Sequence, residues 1–264
     1  MNKKYLFAPL FFLMFFGASA NAATCTQISD NSQIELTGKL SFHILPAQPN
    51  YEDINKGDWY EGGYFLSLEK PICFTGGDFD GTGFSDIQLM NGYDYNNALF
   101  KGAVVKVKLD GLFAGFNGHH HAPVLGTIVN ITQNGTTIKP KNYVEKRKVF
   151  DEGNDITEEY ETPMPLIRAF YYSLKVGRGD LAQEFITPEK RDKGAFGITS
   201  MNKFYGNLKT PILLQNLEKI TDTKYRVTYN YSGTKSTCNG KAEVNITQKD
   251  GRWFIGGIKA LGGC

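Results

Sequence analysis

Beyond residue 23 the sequence has no apolar run long enough to cross a bilayer, no cysteine cluster, no histidine after position 121 and no surplus of either charge. Each absence removes a class of protein. A membrane-spanning helix needs about 20 apolar residues, so no span is expected after the first segment. The serine-hydrolase elbow G-x-S-x-G, the zinc motif H-E-x-x-H, the phosphate loop and the dinucleotide fingerprint are all missing. Ser67 with Lys70 and Ser200 with Lys203 have S-x-x-K spacing, but the companion motifs of that enzyme class are not there. Twenty-nine glycines and ten prolines follow no period, which excludes collagen.

What is present begins with an export signal. Lys3 and Lys4 precede an apolar run over 6–18, and small residues follow at Ala18, Ala20, Ala22 and Ala23. That order predicts a signal peptide over 1–23 and a periplasmic or secreted mature protein. Thr24 directly before Cys25 disfavours the lipoprotein reading. An oxidising compartment favours disulfides, and the four cysteines allow three connectivities. The long gap between Cys73 and Cys238 makes Cys25 with Cys73 and Cys238 with Cys264 the simplest pairing.

Charge divides the mature chain, although it sums to zero once Lys3 and Lys4 are removed. Residues 24–138 carry six basic and twelve acidic side chains, a net of minus six, whereas residues 166–264 carry sixteen and eight, a net of plus eight. Between them, over 139–165, a basic cluster (Lys139, Lys141, Lys146, Arg147, Lys148) meets an acidic run (Asp151, Glu152, Asp155, Glu158, Glu159, Glu161). This junction reads as a charged linker, either solvated or acting as an intramolecular clamp. The asymmetry reads as two separately solvated domains or as a basic second domain facing an anionic ligand or partner. Nucleic acid is not expected, because no binding module accompanies the charge.

Short β-rich runs over 34–45, 64–69, 87–90, 103–109 and 123–131 alternate with Gly, Asn and Asp turns, predicting an all-β unit over 24–138, a small OB-like barrel. This part resembles a bacterial family of exported domains of unknown function. The resemblance rests on Pro49-Asn50-Tyr51 with Gly57-Asp58, Pro71-Ile72-Cys73, Ile87-Gln88-Leu89, Gly102, Leu112-Phe113, and Gly118-His119-His120-His121 before Pro123-Val124. It implies a domain but no activity.

Two patterns invite a metal. Residues two apart on a strand share a face, so His119 and His121 could meet His43 around zinc, but no carboxylate at characteristic spacing accompanies them. The alternative is a turn whose histidines bond the backbone and pack on Phe113 and Phe116. The run 78–86 follows calcium-loop spacing, but Leu89 stands where a bidentate glutamate belongs, so a glycine-rich hairpin loop is favoured. Paired acids such as Asp53 and Asp58, or Asp78 and Asp86, are expected to be solvated in turn-rich loops.

The last hundred residues predict helices and then a sheet. Pro163 and Pro165 introduce a helical face of residues 166, 167, 170, 171 and 174, which Gly177 and Gly179 end. Asp180 is expected to cap a second helix over 181–186, and a third covers 198–208. Strands over 212–220, 225–231, 242–247 and 253–260 complete an α+β domain over 166–264 with helices on a curved antiparallel sheet. Tyr171-Tyr172, Gly179-Asp180, Pro188-Glu189-Lys190-Arg191, Phe204-Tyr205-Gly206, Cys238-Asn239-Gly240 and the terminal Gly262-Gly263-Cys264 carry a resemblance to the nuclear-transport-factor-like cone superfamily. It implies one pocket that serves enzymes and non-enzymes alike. A ligand there would meet Phe170, Tyr205, Tyr229 and Trp253, with Lys190 or Arg191 at the mouth for an anion, but aromatics at such spacing usually form core, which is the favoured reading. The Arg178-Gly179-Asp180 tripeptide is read as a helix break rather than an adhesion site.

The expected function is a non-enzymatic binding protein of the bacterial envelope, engaging a protein, a polymer or a small ligand, with a toxin-neutralising protein as a special case. No cofactor is expected. The alternative is a hydrolase using zinc on His43, His119 and His121, or a pocket in the second domain.

Overall fold

The computed structural model describes residues 25–29, 32–92, 95, 97–140, 158–234 and 236–263. The signal segment, most of the basic cluster, the start of the acidic run and Cys264 lie outside the described residues.

The period-2 pattern of β2 (Ile34–Pro46) sets the first unit. Leu40, Phe42 and Ile44 point into the core, while Ser41, His43 and Leu45 line the other face. Pro46 ends the strand, and the chain turns back as β3 (Tyr60–Gly76), which pairs antiparallel with β2 from Gly38↔Leu68 to Pro46↔Tyr60. A Cβ on Gly38 would stand 2.5 Å from the Ser67 carbonyl oxygen, so only glycine lets the two strands approach there. β4 (Phe79–Met90) returns along β3. The run 78–86, expected as a hairpin loop, is therefore largely strand. Its local turn bond, Thr82 N–H to Asp80 Oδ1 at 2.9 Å, survives inside the ladder.

β5 (Lys101–Ala114) pairs antiparallel with β2 and with β6 (Val124–Gln133), burying Val105, Val107 and Leu109. The path β3-β2-β5-β6-β4 then returns to its start, because β4 pairs with β6 in parallel and with β3 antiparallel. Two short strands extend this mixed sheet: β1 (Thr26–Gln27) beside β3, and β7 (Thr136–Ile138) beside β6. A Cys25–Cys73 disulfide fastens β1 to β3, as the pairing read from spacing requires, and fits an oxidising compartment. Cys238 is buried and also disulfide-bonded, whereas its expected partner Cys264 lies outside the described residues.

The second unit opens with α1 (Met164–Lys175), whose Leu166, Ile167, Phe170, Tyr171 and Leu174 are all buried. Gly177 ends it in the left-handed region at φ 71°. α2 (Gly179–Ala182) follows with Arg178, not Asp180, at its N-cap. The expected cap by Asp180 is corrected: its carboxylate sits in the first turn and holds the Arg178 guanidinium at 2.6 Å. α3 (Ile198–Gly206) leads into the antiparallel sheet β8 (Thr210–Thr221), β9 (Lys224–Ser232), β10 (Thr237–Lys249) and β11 (Arg252–Gly262), in that spatial order. Tyr225, Val227, Ala242 and Val244 form its buried face. Among the described residues no helix is long and apolar enough to cross a membrane.

The two units share one contiguous set of buried side chains. Tyr172 of α1 sits against Tyr60, with ring centroids 5.5 Å apart, and against Phe42 at 6.4 Å. Burial raises the Tyr60 phenol far above its ordinary range. Polar bonds frame that contact: Asn55 Nδ2–H donates to the Trp253 carbonyl at 2.8 Å, and Arg252 pairs with Asp53 at 2.8 Å. Glu159, from the acidic run, is only 5% exposed and is held by two bonds from Arg168 at 2.5 and 2.7 Å. Arg168 in turn lies over Trp59 of the first unit. That part of the junction is a clamp.

Candidate functional site

The site grows from three strands and two loops. On the outer face of the first unit, register places Ser41 of β2 beside Phe65 of β3, and Ser67 of β3 beside Asp86 of β4. These residues, with His43, Leu45, His121 and Pro123, line an open groove of about 260 Å³.

The loop over 47–59 forms one end. Asp58 is 3% exposed, and its carboxylate accepts the backbone N–H groups of Asn50 at 3.2 Å, Glu52 at 2.8 Å and Asp53 at 2.9 Å. The expectation that Asp58 is solvated is therefore wrong: three orphan donors converge on it, and a buried N–H needs a partner. The loop presents Tyr51, at φ 60°, with its ring against Gly118; a Cβ on that glycine would stand 2.7 Å from the ring.

The loop over 115–123 forms the other wall. His119 and His121 come together, but on a residue that spacing could not reveal. His119 Nδ1 lies 2.7 Å from Glu61 Oε2, and His121 Nε2 lies 2.5 Å from Glu61 Oε1. A carboxylate only accepts, so each imidazole gives an N–H to Glu61. The Tyr51 hydroxyl lies 3.0 Å from His119 Nε2, within hydrogen-bond reach. Gln88 binds the loop backbone twice, accepting from His121 N–H at 2.7 Å and donating to the His119 carbonyl at 3.0 Å. His120 turns away, accepting from Phe116 N–H at 3.0 Å and packing on Phe113 and Phe116, the turn geometry weighed for this segment.

His43 takes other partners, with Nε2 3.0 Å from Ser41 Oγ and its ring edge-on to Phe65. The three histidines do not converge on a point: two take opposite oxygens of Glu61 and the third takes a serine. Among the described residues no group of three or more His, Cys, Asp or Glu side chains is arranged to hold a metal ion.

Partial desolvation is the largest influence on His43, and the nearby Arg178 charge adds to it. Together they lower the imidazole below its ordinary value against the pull of Asp86 and Asp180. The neutral form is thus favoured in the fold, so His43 adds stability above the unfolded imidazole value, lost as pH falls through the lower folded value. In an NMR titration we expect His43 to protonate at lower pH than a free imidazole. A value at or above the free one would show that it is fully solvated.

The residues expected in the second unit are used elsewhere. Lys190 Nζ donates to the Gly256 carbonyl, and Arg191 donates to the carbonyls of Ile186 and Glu184, each at 3.1 Å. Tyr205 packs on Phe204, its phenol pushed up to about 12 by burial. Trp253 is partly buried against the core. None of the four lines the groove. Arg178 is 6% exposed, so the Arg178-Gly179-Asp180 tripeptide cannot present its arginine.

Replacing Glu61 by glutamine removes the charge that both imidazoles share. We expect the amides of His119 and His121 to exchange with solvent about tenfold faster, equivalent to about 1.4 kcal/mol. Unchanged exchange would mean that Gln88 and Tyr51 alone fix the loop.

No family model matches the chain, and no curated protein matches it. Similar solved structures include a SEC-C motif protein from Rhodopseudomonas palustris, 15% identical over 38% of this chain and 80% of that one, at a TM-score of 0.30. An NTF-2 like protein of unknown function from Shewanella oneidensis is 12% identical over 36% and 92%, at 0.28. An Ntf2-like protein involved in plasmid conjugation is 9% identical over 87% and 78%, at 0.26. At these identities and scores none says what this chain does.

Proposed function

We propose that the chain is an exported, non-enzymatic binding protein of the bacterial envelope that holds a small polar ligand in the groove over β2, β3 and β4. The observation that carries this reading is the groove itself: an open space of about 260 Å³ whose walls, part polar and part apolar, stand on paired strands. The closed pairing path supports treating the first unit as an OB-like barrel. Such barrels bind ligands on the face of their second and third strands and on the flanking loops. Here those strands are β3 and β4, and the loops over 47–59 and 115–123 flank them. The second unit, read as a cone, braces the barrel through Tyr172, Asn55 and Arg178.

A binding role fits the chemistry better than catalysis. Ser41 and His43 make an alcohol–imidazole pair, but among the described residues no carboxylate hydrogen-bonds His43 to orient it as a general base. The zinc hydrolase alternative gains no support, since among the described residues no group of three or more His, Cys, Asp or Glu side chains is arranged for a metal ion. The test is NMR on the mature, untagged protein while fractions of periplasmic small molecules are added. We expect one fraction to shift the resonances of His43, Phe65, Ser67 and Asp86 together. Shifts centred on Lys190 and Arg191 would place the ligand in the second unit instead.

A further inference from the structure

We infer that the groove selects a ligand bearing a protonated primary amine, with Asp86 as its counter-ion; this rests on the groove being the ligand site proposed above. The polarity of the walls decides the sign. Asp86 is the one carboxylate lining the groove, and no lysine or arginine lines it. The Ser67 hydroxyl donates to Asp86 Oδ1 at 2.6 Å, so that proton is already committed. Among the described residues Asp86 Oδ2 takes no hydrogen bond. His121 is turned to Glu61 through Nε2, so that proton is committed as well. The bond between His43 Nε2 and Ser41 Oγ takes one of the two protons that a hydroxyl and an imidazole bring, which leaves a single donor there. The groove therefore offers acceptors and one negative charge but few free donors.

An anion would meet a carboxylate with nothing to neutralise it. The Arg178 charge near His43 is already taken by Asp180 at 2.6 Å and by the Phe100 carbonyl at 3.0 Å. An ammonium group, with three donors and no acceptor, complements Asp86 Oδ2 and the lone pairs beside it. The surrounding field agrees, since residues 24–138 carry a net charge of minus six. Phe65, Leu45 and Pro123 supply an apolar wall for the carbon skeleton. An amino sugar and a lysine-like alkylamine share this chemistry, and the groove has room for either on the scale of a small-ligand site.

The experiment is NMR titration of the mature, untagged protein with glucosamine, N-acetylglucosamine, cadaverine and glucuronate, repeated on Asp86→Asn and on Glu69→Gln, an exposed acid outside the groove. We expect glucosamine or cadaverine to shift Ser67 and Asp86, with affinity falling at least tenfold in Asp86→Asn and little changed in Glu69→Gln. Binding by glucosamine alone identifies the sugar source, and binding by cadaverine alone the alkylamine source. N-acetylglucosamine and glucuronate are expected to bind at least tenfold more weakly. Equal binding of glucosamine and its N-acetyl form, unaffected by Asp86→Asn, overturns the amine inference while leaving the groove as a ligand site. No groove shift with any probe overturns the amine inference too, and a periplasmic fraction that shifts only the second unit then overturns the site as well.

Discussion

Replacing Arg178 by alanine is expected to lower the unfolding free energy by about 3 kcal/mol. The guanidinium is 6% exposed and makes four bonds: three to the Asp180 carboxylate and one, at 3.0 Å, to the Phe100 carbonyl of the other unit. Removing it leaves that carbonyl unpaired in the interface and Asp180 without its cation, which is costlier than never having had the pair. Burial alone would raise the Asp180 carboxyl, but the hydrogen bonds and charge of Arg178 outweigh it and hold the group below its ordinary value. The carboxylate thus contributes stability above its unfolded value and loses it as pH falls through the folded one. In Arg178→Ala this acid-side slope should flatten, and His43 should titrate higher because a neighbouring cation is gone. Urea unfolding at several pH values, with His43 followed by NMR, checks both. A loss below about 1 kcal/mol would mark the pair as a solvated surface bridge.

Asp58→Ala is expected to cost a similar amount, about 3 kcal/mol, for a different reason. Its carboxylate ends three backbone N–H groups in a loop that has no ladder to satisfy them. Each buried donor left without a partner costs about 1–3 kcal/mol, moderated here because the loop can open to water. Asparagine keeps one acceptor oxygen but loses the charge and the second oxygen with its two lone-pair sites, so Asp58→Asn should fall between. Opening the loop also withdraws Tyr51 from His119, so the variant should weaken groove binding together with stability. A stable Asp58→Ala with intact Tyr51 contacts would show that the loop is held by Asn55 and Arg252 instead.

These two residues also show where sequence reasoning stops. The β2 alternation and the apolar face of α1 were legible because their periods are local, and the strands of the second unit follow from the same rule. The cysteine pairing of the first unit was legible from spacing alone. Asp58 looked like an acid in a turn, because its three donors come from residues five to eight positions earlier and meet it only when the loop folds back. Asp180 looked like a helix cap, but the Arg178 guanidinium competes for its carboxylate and wins.

The histidines illustrate the same limit at the site. His119 and His121 lie in a loop, where strand alternation does not apply, and their common partner lies on β3, 58 and 60 positions upstream. His43 is on β2, where the register pairs it with Gly63 and its outward neighbour is Ser41. Nothing local distinguishes Glu61 or Asp86 from any other acid on an exposed strand face. Their roles come from strand pairing, which is non-local. The run 78–86 was misjudged for a related reason: its glycines favour a turn, but cross-strand bonds to β3 hold it extended.

The central claim is that the groove over β2, β3 and β4 is the ligand site. The most direct measurement is native mass spectrometry of the mature protein isolated from the periplasm without a tag, alongside Ser67→Trp, which fills the groove without changing charge. The account predicts one small molecule per chain on the parent protein and none on Ser67→Trp, with both chains folded by circular dichroism. A ligand retained by Ser67→Trp, or a metal ion lost on replacing His43 and His119, would contradict it.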